Sequence, residues 1–228
     1  MNYNNYSNRG GFLSTIPSVT KNIIIINVIM FLATLVNEDF MIRTFAMFFP
    51  ASPLFKWWQP VTHMFMHGGF WHIFFNMYTL LMFGTMVERT IGTKKFLTFY
   101  FVTGLGAVAL HSGVQWIQAQ HFLSAGAELS YWNILRTPTV GASGAIYGVL
   151  IGFAMLYPDA PLTLIFPPIT LKAKWFVVIF AVIELATGVR GVTDGVAHFA
   201  HLGGMLFGFL LLRWWRRTGR LYRRDEWI

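Results

Sequence analysis

Apolar runs, interrupted by charge, glycine or proline, divide the chain into segments with the length of helices. They predict six: Asn22 to Val36, Phe70 to Val87, Phe96 to Ile117, Gly141 to Leu156, Trp175 to Val189 and Val196 to Trp215. Several approach the roughly 20 residues that carry a helix across a hydrocarbon core, and the fourth is unusually short. No stretch shows the alternation, about ten residues long, of a membrane β-strand. Pro158, Pro161, Pro167 and Pro168 punctuate the connection between the fourth and fifth helices. Between the first two, Asn37 to Gly69 carries Phe45, Phe48, Phe49, Phe55, Trp57 and Trp58 with Pro50, Pro53 and Pro60. That aromatic content suits an anchor at headgroup level. The pattern describes an all-α, polytopic membrane protein. It has a short polar tail over 1–18, a six-helix body over 19–215 and a basic tail over 216–228.

Composition supports the bilayer. With 55% hydrophobic and 11% charged residues, the chain is too apolar for an ordinary soluble domain. Charge then sets the orientation. With both termini inside, Arg43, Lys56, Arg136 and Arg190 lie outside, and the rest of the 17 Lys and Arg residues are cytoplasmic. The net charge of +8 is thereby explained by orientation and anionic lipid, and no nucleic-acid motif is present. The polar start, Asn2 to Ser18, lacks the charged head, apolar centre and small-residue exit of a cleavable leader. A bacterial inner membrane is expected. The absence of cysteine rules out disulfides.

Candidate chemistry sits in three of the predicted helices. Thr139 to Gly152 reads TVGASGAIYGVLIG, with Gly144, Gly148 and Gly152 four apart beside Ser143. A serine there is ordinarily a packing residue. His63, His67, His72 and Asn76 form two i, i+4 pairs, and polar groups at membrane depth default to functional candidates. A metal at His63 and His67 is disfavoured by the lack of cysteine and of an H-E-x-x-H pattern. His198 and His201 open the sixth helix, followed by Gly204 and Gly208. His201 shares the glycine face, which should meet the fourth helix, whereas His198 lies a turn further outward. His72, Asn76, Ser143 and His201 all come early in helices that run from outside to inside. A serine, a histidine and two hydrogen-bond donors at one depth are the components of acyl transfer.

These residues resemble the rhomboid intramembrane serine proteases. The resemblance rests on GASGAIY at Gly141–Tyr147, HIFFN at His72–Asn76 and AHLGGMLFG at Ala200–Gly208. It implies a rhomboid-like six-transmembrane-helix bundle in which Ser143 is the nucleophile and His201 the base. His72 and Asn76, with the Ser143 backbone N–H, would stabilise the oxyanion, and Tyr147 would pack on the histidine. Gly204 and Gly208 would bring the sixth helix against the fourth, and Gly141 belongs to the same motif. The implied substrates are transmembrane proteins cleaved near the outer membrane face, with no cofactor and no metal.

Glu88 is expected to play a structural part beside Arg89, and Glu184 has no evident partner in the sequence. Trp58-Gln59 stands where many members carry Trp-Arg, which puts that loop's polar contacts in question. No acidic third member is expected, so packing would orient His201. Two other functions remain: a transporter or channel lined by His63, His67, His72 and His198, and an inactive rhomboid-like binding protein.

Overall fold

The computed structural model describes residues 11, 14–164, 168–190 and 197–221. Most of the polar tail, Pro167, Asp194, the predicted start at Val196 and the end of the basic tail lie outside the described residues. The first helix, α1 (Ser18–Val36), starts a turn before the apolar run because Glu88 accepts hydrogen bonds from its first amides. A short α2 (Glu38–Phe45) follows, capped by the Asn37 side chain on Phe40 N. Next come α3 (Gln59–Thr62) and a 3-10 turn, His63–Phe65. The second predicted helix is α4 (Phe70–Thr79), a π-helical stretch (Leu80–Gly84) and α5 (Thr85–Ile91) in continuous succession.

Beyond Gly92, α6 (Thr93–Ser124) is longer than the apolar run, because polar Gln115, Gln118 and Gln120 continue the helix. The sequence reading left 128–136 unassigned, and it forms α7 (Glu128–Arg136). Then come α8 (Ser143–Leu156), α9 (Ala173–Arg190) and α10 (His198–Arg217). The proline-punctuated connection contains a β-hairpin, β1 (Pro161–Thr163) with β2 (Thr170–Lys172), in antiparallel register Pro161 to Lys172. Asp159 pairs with Lys172 and Lys174 at its base, and these ammonium groups hold its carboxyl below the usual range.

Among the described residues, three helices, Ser18–Val36, Phe70–Ile91 and Thr93–Ser124, are long and apolar enough to cross a membrane by length and composition, and α8 is a shorter apolar helix. Their outer faces expose large apolar groups, including Ile29 and Leu32 on α1, Phe75 on α4 and Val182 on α9. In water that surface would be a liability, whereas in lipid it is the solvated side. The protein is an integral membrane protein.

The core centres on α8, which packs against α6 and α10. Phe96, Phe99 and Tyr100 of α6 are fully buried. Glycine sets these approaches; Gly204 and Gly208 meet α8 as expected, but the α8 stripe itself turns to a different neighbour. The Gly144, Gly148 and Gly152 stripe faces α6, where added methyls would strike Ala107, Thr103 and Phe99. Gly204 and Gly208 face the α8 backbone itself: a methyl on Gly204 would overlap the Gly144 carbonyl, and one on Gly208 would lie 3.1 Å from Gly148 O. Thus α8 is held closely on two sides, each requiring its own glycines.

Two structural expectations change. Glu88 does not pair with Arg89. It is buried and accepts from Val19 N, Thr20 N and Thr20 Oγ1 at 3.0, 2.7 and 2.8 Å, whereas Arg89 donates to Thr15 O. A carboxylate on the free amides of a helix start satisfies donors that α1 itself cannot. The aromatic segment is also more than an interfacial anchor. Trp57 is exposed, but Ala46 to Phe49 are buried, and Met47 exchanges both backbone hydrogen bonds with Thr139.

Candidate active site

The polypeptide leading into α8 is positioned by the segment between α1 and α4. After the Met47–Thr139 bridge, Gly141 N donates to His63 O at 3.0 Å, two residues before Ser143. His63 is fixed in turn by its Nδ1 against Gln59 O at 3.0 Å. Gln59 makes polar contacts of its own in this loop. It is fully buried, accepts from Phe48 N and Lys56 N, and donates to Arg43 O and Leu54 O. A neutral amide serves because the groups it meets include both donors and acceptors.

Gly141 has φ +134, a conformation that side chains rarely adopt. A Cβ there would also sit 2.9 Å from His72 Nε2 and 3.4 Å from Ser143 Oγ. The glycine therefore keeps open the space between these two groups. Ser143 is half-buried at the first position of α8, where its backbone N–H lies among the amides without an intrahelical acceptor. His201 Nε2 lies 2.9 Å from Ser143 Oγ. Its ring stacks on Tyr147, centroids 4.1 Å apart and planes 8° from parallel.

The second helix brings two more polar groups. His72 is half-buried, and Gly68 N makes a long contact, 3.4 Å, with its Nδ1. An Nδ1 that accepts leaves the proton of the neutral ring on Nε2, the atom facing Gly141. Asn76 is buried, and its Nδ2 has no hydrogen-bond partner among the described residues. His67 packs edge-on against His72, with centroids 4.9 Å apart. No group of three or more His, Asp or Glu side chains that could hold a metal occurs among the described residues.

Packing on Tyr147 is not the only contact His201 makes, because Glu184 also stands beside its ring. From α9 it reaches into the site and is buried. Its Oε1 accepts from Tyr147 OH at 2.6 Å and lies 3.0 Å from His201 Nδ1; its Oε2 lies 2.6 Å from His198 Nδ1. The His201 approach has hydrogen-bond length but is not aligned with the ring N–H direction. His198 is correspondingly not an outward-facing group: it is buried, with Thr187 Oγ1 3.1 Å from its Nδ1. The sequence held one signal, an acidic residue two-thirds along an apolar helix, but not its partners. Helices α8 and α10 supply them.

A serine–histidine contact within a bundle of apolar helices places the protein in the class of polytopic membrane proteins with hydrolase-type side chains in their interior. Residues 54–217 match the Rhomboid domain family model, and the chain belongs to the rhomboid family. Among similar proteins, RHOMBOID-like protein 4 of Arabidopsis thaliana is 31% identical over 157 residues, covering 68% of this chain and 33% of that protein. Rhomboid protein 1, mitochondrial, of Saccharomyces cerevisiae is 29% identical over 177 residues, 72% of this chain and 45% of the relative. Rhomboid protease AarA of Providencia stuartii is 30% identical over 165 residues, with coverages of 68% and 54%. The chain therefore spans about a third to a half of the lengths of these relatives.

Proposed function

We propose that this protein is an intramembrane serine endopeptidase that cleaves membrane-spanning proteins, with Ser143 as nucleophile and His201 as base. The observation that carries the reading is the 2.9 Å contact between His201 Nε2 and Ser143 Oγ. Family membership and a relative named as a protease agree with it. His201 takes the hydroxyl proton as Ser143 Oγ bonds to the scissile carbonyl carbon, and the carbonyl oxygen becomes an oxyanion. His72 Nε2, Asn76 Nδ2 and the Ser143 backbone N–H are the donors for that charge; the unpaired, buried Asn76 amide is costly without such an acceptor. His201 then protonates the leaving amine, which departs. A water, losing its proton to His201, releases the acyl chain from Ser143.

The reading extends to six spans, both termini in the cytoplasm and a site near the outer face of a bacterial inner membrane, supported by the Lys and Arg asymmetry. Peptide hydrolysis needs water, which the bilayer centre lacks. A cleft that mixes polar groups, His111, Gln115, Gln118 and Asn133, with apolar Phe122 and Ile134 opens between α6 and α7, and His111 contacts Thr139, four residues before Ser143. A substrate helix must also unwind to expose its carbonyls, so cleavage near glycine or proline is expected. The test is labelling by a fluorophosphonate probe together with cleavage of a single-span reporter. Both should be lost in Ser143→Ala without loss of fold. Cleavage by that variant at the wild-type rate would exclude the nucleophile, and an unlabelled, inert wild-type protein would favour a transporter or a binding protein.

A further inference from the structure

The reaction just described leaves Glu184 without a task, although it is the only buried carboxylate near Ser143 among the described residues. We infer that Glu184 is a positioning residue that holds the His201 Nδ1–H and balances the charge His201 acquires, so that a Ser143–His201–Glu184 relay operates here; this rests on the Ser143 and His201 assignment. The argument is one of donors and acceptors. For Nε2 to take the Ser143 proton, it must be the unprotonated nitrogen, and the ring proton must sit on Nδ1. Nδ1 is buried, and the polar atom placed nearest to it is Glu184 Oε1, at 3.0 Å. Stacking on Tyr147 fixes the plane of the ring but cannot choose which nitrogen carries the proton, since either tautomer stacks equally well. A carboxylate oxygen, which can only accept, makes that choice.

The carboxylate is itself locked. Tyr147 OH donates to Oε1 at 2.6 Å from α8, and His198 Nδ1 lies 2.6 Å from Oε2 on α10, with Thr187 of α9 beside it. Titratable groups facing Glu184 from its neighbours are thus His201 and His198 on α10, with Tyr147 on α8. In the forming tetrahedral intermediate, the proton that leaves Ser143 makes His201 a cation, and the Glu184 charge stands against it in a poorly solvated site. Glu184 meets the His201 ring at Nδ1, the nitrogen not facing Ser143, so its removal should change turnover far more than binding.

The experiment compares Glu184→Gln, Glu184→Asp and Ser143→Ala in reconstituted full-length protein, measuring kcat, KM and thermal melting with a single-span reporter. Glu184→Gln keeps the shape and loses the charge. Its kcat should fall about tenfold to a thousandfold, with KM within about threefold of wild type. A melting temperature within a few degrees of wild type would separate this from a structural loss. If kcat stays within about threefold while Ser143→Ala is inert, the relay is wrong and the nucleophile stands. If Ser143→Ala still cleaves, the underlying assignment falls whatever Glu184 does. A rise in KM alone also overturns the inference. Should Glu184→Gln melt early, Glu184→Asp decides: kcat recovered at least tenfold over the Gln variant supports the relay, and kcat equally low refutes it.

Discussion

Substituting Gly204 with alanine tests whether the α8–α10 contact sets the geometry of the site. A Cβ on Gly204 would lie 2.8 Å from the Gly144 carbonyl carbon and closer still to its oxygen. Carbon atoms ordinarily meet at about 3.5–4.0 Å, so α10 must retreat from α8 by about 1 Å. No rotamer change relieves the clash, since both partners are backbone. Alanine favours a helix over glycine by about 1 kcal/mol, and overpacking costs about 1–3 kcal/mol, so the net loss of stability should be small, about 0–2 kcal/mol. Activity is the more sensitive quantity. His201 lies one turn before Gly204 on α10 and moves with it, whereas Ser143 belongs to α8. Opening the 2.9 Å contact by about 1 Å should cost on the order of a hundredfold in turnover. Reporter cleavage and thermal melting would be measured beside Gly113→Ala, whose added methyl meets nothing within 4 Å. A Gly204→Ala protein that cleaves within about threefold of wild type would refute the reasoning.

Three other outcomes are expected. His72→Ala and Asn76→Ala should each slow turnover about tenfold to a thousandfold with less effect on KM, and equal losses confined to KM would argue against oxyanion donors. Glu88→Ala strands the Val19 and Thr20 amides in a buried place and should destabilise the fold by about 1–3 kcal/mol, read by thermal melting, while kcat of the folded fraction changes little. Burial pushes the His63 ring down to about 4 against the opposing hydrogen bond to Gln59 O. The unfolded chain takes up that proton near pH 6.5, so it binds more protons in the interval and stability falls as pH drops from 6.5 toward 4. Melting temperatures should decline over that window and decline less in His63→Gln; a flat profile would count against it.

The helices and the polar groups at one depth were legible because both are written locally. A run of apolar residues needs a helix in lipid whatever its neighbours are, and GASGAIY, HIFFN and AHLGGMLFG are short motifs. The proposed orientation likewise rests on the order of the segments and their charge alone. Pairings between distant residues were not legible. Glu184 sits on a helix whose sequence names no partner, and it meets Tyr147 and His201 because α8, α9 and α10 pack together. Glu88 has Arg89 beside it in sequence but binds the start of α1, 68 residues away at Thr20. The β-hairpin and α7 were missed because three-residue strands and a polar nine-residue helix carry too little periodicity to stand out. Spacing placed the glycines on helix faces, but which neighbour each face meets depends on how the helices rotate in the bundle. Rotation is settled by the sum of contacts around each helix, so the expected meeting of the α10 glycine face with α8 is seen, but only the tertiary structure decided that the α8 stripe itself meets α6.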